Sequence, residues 1–283
     1  MPFSRNFPGL PDITGVKIVR KEVNIENLIL KERIVVLAVL SAVTLGAWVY
    51  MFHMSPGIIG IIMGGDSPYM LQWGLLDIFF SFVMWSVMMM AMMLPSAIPM
   101  ILMFTSANRR RIECHDPLIT TGLFVLGYLI IWIAYSALAT MVQWGLHAAT
   151  LLLHKRVITS HLSALLGGTL LLATGVFQWT PFRNACMIKC RSPLGFILAE
   201  WREGKRGALI MGLKHGAFCV GCCWLIMALS LFLGGMNILW MLVLTAFIIL
   251  EKSSVAGQWL SRVAGLVFIV WGLAVIVVKG VIT

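Results

Sequence analysis

At 283 residues, the chain is 60% hydrophobic and only 11% charged, with a mean hydropathy of +0.95, outside the range of soluble globular proteins. Its formal net charge of +10 would suit a nucleic-acid binder, but the basic residues sit between apolar runs, so the charge reads as membrane topology and no nucleic-acid partner is expected. No G-x-x-x-x-G-K-[ST] loop occurs and no stretch could hold a soluble nucleotide-binding domain, which argues against a nucleotide cofactor and ATP-driven transport.

In chain order, residues 1–32 form a mixed polar amino-terminal segment, read as cytoplasmic. Pro2, Pro8 and Pro11 precede the first apolar run, which starts only near Ile34, so the pattern is that of a retained span rather than a cleaved signal peptide. Seven apolar runs follow, at roughly 33–54, 77–104, 118–146, 160–180, 207–233, 236–252 and 259–280. Most reach the ~18–20 residues that cross a bilayer as a helix. The sixth is short and follows the fifth through Gly234 and Gly235. The fold class expected is all-α, a polytopic transmembrane helical bundle of about seven helices. Residues 33–280 form its single transmembrane domain.

Lys and Arg set the orientation. Arg5, Lys17, Arg20, Lys21, Lys31 and Arg33 precede the first span, and Arg109, Arg110 and Arg111 follow the second. Arg183, Lys189, Arg191, Arg202, Lys205, Arg206 and Lys214 lie between the fourth and fifth, and Lys252 and Arg262 flank the last turn. With seven spans all of these fall on one side, leaving Lys155, Arg156 and Lys279 on the other. The positive-inside rule then predicts a cytoplasmic amino terminus and an external carboxyl terminus, in a multi-pass protein of the cytoplasmic (inner) membrane. The loop 181–206 reads as a cytoplasmic hairpin or re-entrant piece.

The second span carries WSVMMMAMMLPSAIPMILMF, and the window 84–103 holds 8 of the chain's 19 methionines. Met84, Met88 and Met92 form one i,i+4 row, with Met89, Met93 and Met100 beside it. Pro95 and Pro99 each remove a helix hydrogen bond, so a kink or break is expected there, with the freed carbonyls satisfied by neighbours, Ser96, water or an ion. Broken helices recur at transporter sites, while methionine also serves as an adaptable filler around a proline.

The fifth span, GLKHGAFCVGCCWLIMALSL, is more specific. Met211, His215, Cys219, Cys223 and Met227 follow at successive i,i+4 steps, and Cys222 borders the same stripe. Thiolate and thioether donors select Cu(I), and imidazole suits copper and zinc. Two other readings remain open: small cysteines that allow close helix packing, and a C-x-x-C redox pair, although reactive pairs usually sit at helix amino termini. His215 also fits a residue snorkelling at the interface beside Lys214. With the second span running inwards and the fifth outwards, the methionine and cysteine clusters share a membrane depth.

Cys186 and Cys190 in the 181–206 loop stand four apart, a chelating spacing if the segment is helical. All six cysteines, Cys114 included, are placed on the reducing side or in the membrane, where structural disulfides are disfavoured. Cys114-His115 forms a further soft pair, and His147, His154 and His161 gather around an external loop, where solvated histidines are the simpler account. His53, with Met51 and Met54, has the same ambiguity. Asp77 and Glu251 lie at predicted helix ends, with Glu251-Lys252 read as an interfacial pair.

The motifs W-S-V-M-M-M-A-M-M-L-P, T-P-F-R-N-A-C-M-I-K-C-R-S-P-L-G-F, F-C-V-G-C-C-W-L-I-M, G-G-M-N-I-L-W-M and L-E-K occur in that order. Over roughly 80–275 the chain resembles an uncharacterised bacterial and archaeal family of predicted metal-binding integral membrane proteins. The resemblance implies metal binding and points to Met88, Met92, Met93, Pro95, Cys186, Cys190, Cys219, Cys222, Cys223 and Met227. It names neither a metal nor an activity.

The function expected is binding and handling of a soft metal ion, Cu(I) first, in transport, membrane chaperoning or metalloenzyme assembly. The candidate ligands are Cys219, Cys222, Cys223, His215, Met211, Met227, Met88, Met92, Met93, Cys186 and Cys190. The expected partners are the lipid bilayer and a metalloenzyme or metallochaperone. The alternatives are a membrane thiol oxidoreductase and a structural accessory subunit of a membrane complex. No carboxylate pair or Ser-His-Asp arrangement suggests hydrolysis, and a non-enzymatic role fits better.

Overall fold

The computed structural model describes residues 14–54, 74–109, 117–152, 156–230, 238–254 and 256–281. Among them are nine helices and no strand: α1 (Thr14–Met54), α2 (Leu75–Arg109), α3 (Pro117–Leu152), α4 (Arg156–Phe177), α5 (Pro181–Arg191), α6 (Pro193–Glu200), α7 (Gly204–Leu229), α8 (Ile238–Ser253) and α9 (Gly257–Val281). An apolar surrounding cannot satisfy backbone N–H and C=O groups, so a lipid-embedded chain of this composition closes them internally as helix. Its hydroxyls follow suit: Thr105, Thr121, Ser136, Thr140 and Thr245 each donate to the carbonyl four residues back.

Five helices are long and apolar enough to cross a membrane: Glu26–His53 of α1, α2, Pro117–Ala149 of α3, α7 and Gly257–Val278 of α9. The fourth and sixth predicted spans are also helical. α8 has 16 residues, and the apolar part of α4 described here runs Leu165–Phe177, both below the ~20 residues of a full crossing. α1 passes without interruption through 32–33, where the polar segment was expected to give way to the first span. α2 is likewise unbroken across Pro95 and Pro99. The expected break is absent.

Side-chain and backbone contacts give the helix directions. Glu32 pairs with Arg109 at 3.2 Å, so α1 and α2 are antiparallel, and Thr105 meets Thr121 at 3.3 Å across the α2–α3 hairpin. α3 and α7 run parallel, because Phe124 lies against Gly212, Tyr128 against Gly216 and Tyr135 against Trp224. A methyl group on Gly212 would fall 2.0 Å from the Phe124 carbonyl oxygen, so the two backbones touch there. α4 and α9 form a second close pair, antiparallel, in which Gly175 meets Gly265.

α2 and α7 are the most buried of the five long helices, and α1 and α9 the least. One apolar core joins Met88, Met89, Met92 and Met93 of α2 to Phe124, Tyr128 and Trp132 of α3 and to Met211, Cys219, Cys222, Cys223 and Met227 of α7. The 181–206 segment is a helical hairpin packed along α7, with Cys186 over Gly221, Phe196 against His215 and Arg202 against Gly207. Thr180 caps α5 and Ser192 caps α6, each followed by proline at the first helical position.

Candidate metal centre

The α7 stripe faces inwards as its spacing predicts: Met211, His215, Cys219, Cys222, Cys223 and Met227 are all buried. Its members meet different surroundings. Met211 Sδ accepts the Arg202 amide at 3.4 Å, which ties the thioether to the α6–α7 junction. His215 does not snorkel. It sits among the rings of Phe124, Tyr128 and Phe196, 5.4–6.0 Å between centroids, and its Nδ1 has no hydrogen-bond partner among the described residues.

The thiols converge from two helices. Cys190 Sγ of α5 lies 4.0 Å from Cys222 Sγ of α7, and Cys190 also reaches Cys219. Cys222 and Cys223 donate to the Cys219 carbonyl at 3.1 and 2.8 Å. Cys186 Sγ lies over Gly221, 3.1 Å from where a methyl group there would stand, so a larger residue would require the thiol to shift by a few tenths of an ångström. Burial raises the Cys186 thiol, and hydrogen bonding to Cys219 and Cys222 raises that of Cys190.

The α2 side of the cluster is polar where it meets α7. The Tyr128 hydroxyl donates to the Met93 carbonyl at 3.2 Å and lies 3.4 Å from Cys219 Sγ. Ser96 Oγ donates to the same carbonyl at 2.9 Å. Met93 and Cys219 therefore stand at one level of the bundle, as the shared depth of the two clusters predicts. The thioethers of Met88 and Met92 are buried in the core around this point. What α2 brings beside Cys219 is a carbonyl and a hydroxyl.

Lys252 of α8 completes the arrangement. Its ammonium donates to Cys219 Sγ at 3.0 Å and to Ser96 Oγ at 3.1 Å. The expected Glu251–Lys252 pair is not formed, because adjacent residues on a helix point ~100° apart. Glu251 turns the other way, pairing with the buried Arg183 guanidinium and accepting from Ser261. Arg183, Cys186 and Cys190 share the buried face of α5, so this ion pair also anchors the helix that presents the two thiols.

Lys252, Tyr128 and Arg183 are the residues that sequence reasoning missed at this site, whereas Ser96 was expected to satisfy a carbonyl of α2 and does so at Met93. A lysine closing an apolar helix was the available signal, since an ionisable group at membrane depth calls for a named partner. Cys114, His115 and His154 lie outside the described residues, and His53 is exposed on α1. Among the described residues, no group of three or more His, Cys, Asp and Glu side chains is disposed to hold a metal ion. The arrangement is a close thiol pair with further thiols beside it. Such a donor set fits a soft ion of low coordination number, which two thiolates suffice to hold. Cys190 and Cys222, 4.0 Å apart, would hold such an ion between them.

A family model described as PpoB2, copper chaperone, matches residues 82–275. The chain belongs to this family, and the match covers nearly the whole stretch whose motifs implied metal binding. It contains α3–α8, nearly all of α2 and most of α9, and with them every residue of the thiol cluster. No curated protein and no solved structure matches the chain.

Proposed function

We propose that this member of a copper chaperone family is a membrane-embedded Cu(I) carrier whose cargo is held by Cys190 and Cys222, with Cys219 and Cys223 as adjoining stations. The observation that carries this reading is the 4.0 Å approach of thiols from α5 and α7 in a buried core. Cys190 belongs to the short α5 and Cys222 to the long α7, so the pair joins two helices at one level of the bundle. An ion passed between neighbouring soft donors of similar strength can move without being trapped. His215, Met211, Met227, Met88, Met92, Met93 and Cys186 are proposed as flanking donors. The bundle is proposed to make seven passes of the cytoplasmic membrane with its amino terminus inside, residues 33–280 forming one domain, and a metalloenzyme or metallochaperone exchanges copper with it. The exposed apolar faces of α1, α3 and α9 support the bilayer as its surrounding.

The test is copper content. Purified protein loaded with Cu(I) and desalted is expected to retain the metal, and the variant with Cys219, Cys222 and Cys223 all changed to Ser is expected to lose it. Unchanged copper in that variant sinks the proposal. A thiol oxidoreductase is the second reading, favoured by the same 4.0 Å separation. It predicts a trapped mixed disulfide with a partner in place of bound copper.

A further inference from the structure

One member of the thiol cluster is a cation. Lys252 lies at the end of α8, half-buried, and its ammonium touches Cys219 Sγ and Ser96 Oγ while standing within electrostatic range of Cys190, Cys222 and Cys223. Among the described residues no carboxylate pairs with it. Glu251, its neighbour, is committed to Arg183 and Ser261, Glu200 to Lys214, and Glu32 to Arg109. An ammonium in an apolar bundle is costly unless negative charge lies beside it. Thiols supply that charge only when they lose protons, which is what metal binding makes them do.

Charge balance decides what the ammonium is for. Two thiols that take up Cu(I) release two protons and leave a copper–dithiolate unit with one net negative charge. In water that charge would be solvated; in this core it needs a partner. The Lys252 ammonium supplies one positive charge and makes the loaded site neutral. A divalent ion on the same two thiolates is already neutral and leaves the ammonium uncompensated. We infer that Lys252 is the fixed counter-charge of the copper site, balancing a monovalent ion on two thiolates and disfavouring a divalent one. Ser96 accepts from the ammonium and donates to the Met93 carbonyl, so α2 holds the cation together with Cys219.

This inference rests on the proposal that the thiols hold copper, and the experiment separates the two. Full-length protein in detergent is titrated with Cu(I) against a chromogenic chelator and, separately, with Zn(II). The wild type is compared with Lys252→Met, Lys252→Gln and Lys252→Arg. The neutral variants are expected to bind Cu(I) ~10-fold or more weakly, the consequence of leaving a buried charge unpaired. Their preference for Cu(I) over Zn(II) falls by a similar factor, because the divalent complex no longer faces an uncompensated cation. Lys252→Arg keeps the charge and stays within about threefold of the wild type. Lys252→Gln retains a polar group for Ser96, which covers the case in which Lys252→Met does not fold. Equal Cu(I) affinity in the neutral variants overturns the inference and leaves the carrier proposal standing. Parallel loss of both metals, with the ratio unchanged, also overturns it, since damage to packing acts that way. X-ray absorption that finds a nitrogen ligand in the wild type and none in Lys252→Gln makes Lys252 a ligand rather than a counter-charge. A wild type that binds no Cu(I) fails the carrier proposal and this one with it.

Discussion

Two polar clusters meet at the last turn of α8, one residue apart, and they are built on opposite principles. On the Glu251 side the groups are hard: guanidinium, carboxylate and hydroxyl from α5, α8 and α9, with Arg183 and Glu251 side chains only 0% and 1% exposed. On the Lys252 side they are soft: one ammonium among four thiols from α5 and α7. The hard cluster is closed, each charge facing its opposite. The soft cluster holds a cation whose formal counter-charge is not supplied by any carboxylate. The first arrangement fixes a helix, and the second is the one proposed to take an ion. α5 takes part in both, through Arg183 at one end and Cys190 at the other, so the rigid cluster sets the geometry of the adaptable one.

The comparison breaks most severely at Glu251. Glu251→Ala leaves the Arg183 charge buried and unpaired, and a loss of about 3–5 kcal/mol is expected. Arg183 Nε and Nη1 already lack partners among the described residues, which leaves no spare acceptor to absorb the change. Thermal unfolding in detergent measures it, and pairing the change with Arg183→Met should recover most of the loss. Recovery would show that the hard cluster is a solvation problem solved by pairing, not a source of net stability.

A smaller effect is expected at Gly212, which controls how closely α3 lies against α7. Gly212→Ala puts a methyl group 2.0 Å from the Phe124 carbonyl oxygen, and neither backbone can yield locally. Overpacking of this kind costs about 1–3 kcal/mol. It also carries Tyr128 away from Cys219 while leaving every thiol in place. Weaker Cu(I) retention in a folded Gly212→Ala protein would show that α3 helps shape the soft cluster; unchanged retention would confine the cluster to α5, α7 and α8.

The smallest effect sharpens the comparison from the water side. Lys214 and Glu200 form the same kind of pair as Arg183 and Glu251, but their side chains are 37% and 23% exposed. Hydrogen bonding to the Lys214 ammonium holds the Glu200 carboxyl below its usual range. A depressed acid contributes stability above its unfolded value, and the contribution disappears as pH falls through the depressed one. Solvent screening limits it to below about 1 kcal/mol. The unfolding midpoint of the wild type is expected to fall slightly faster than that of Glu200→Gln as pH drops through the carboxylate range.

Much of the site was legible because periodicity is a property of the chain alone. The i,i+4 steps from Met211 to Met227 require one face if the segment is helical, and that face is buried. The 181–206 segment was expected only as a hairpin or re-entrant piece; the structure adds that Thr180-Pro181 and Ser192-Pro193 start its two helices. Of the kink or break expected at Pro95 and Pro99, the break did not occur, and the helix continues through both prolines. Glu251-Lys252 misled because adjacency along the chain was taken for adjacency in space.

Composition, apolar run lengths and ligand spacing thus determined an all-helical chain, helices apolar enough for a bilayer and an inward stripe of soft donors. Only the tertiary structure decided that Cys190 meets Cys222, that Tyr128 and Ser96 share the Met93 carbonyl, and that Lys252 enters the thiols while Glu251 leaves them. The physical reason is range. Helical periodicity is set by hydrogen bonds four residues long, whereas the contacts between helices, from Cys190–Cys222 to Lys252–Ser96, join residues 32 to 156 positions apart and depend on how glycine-lined helices approach.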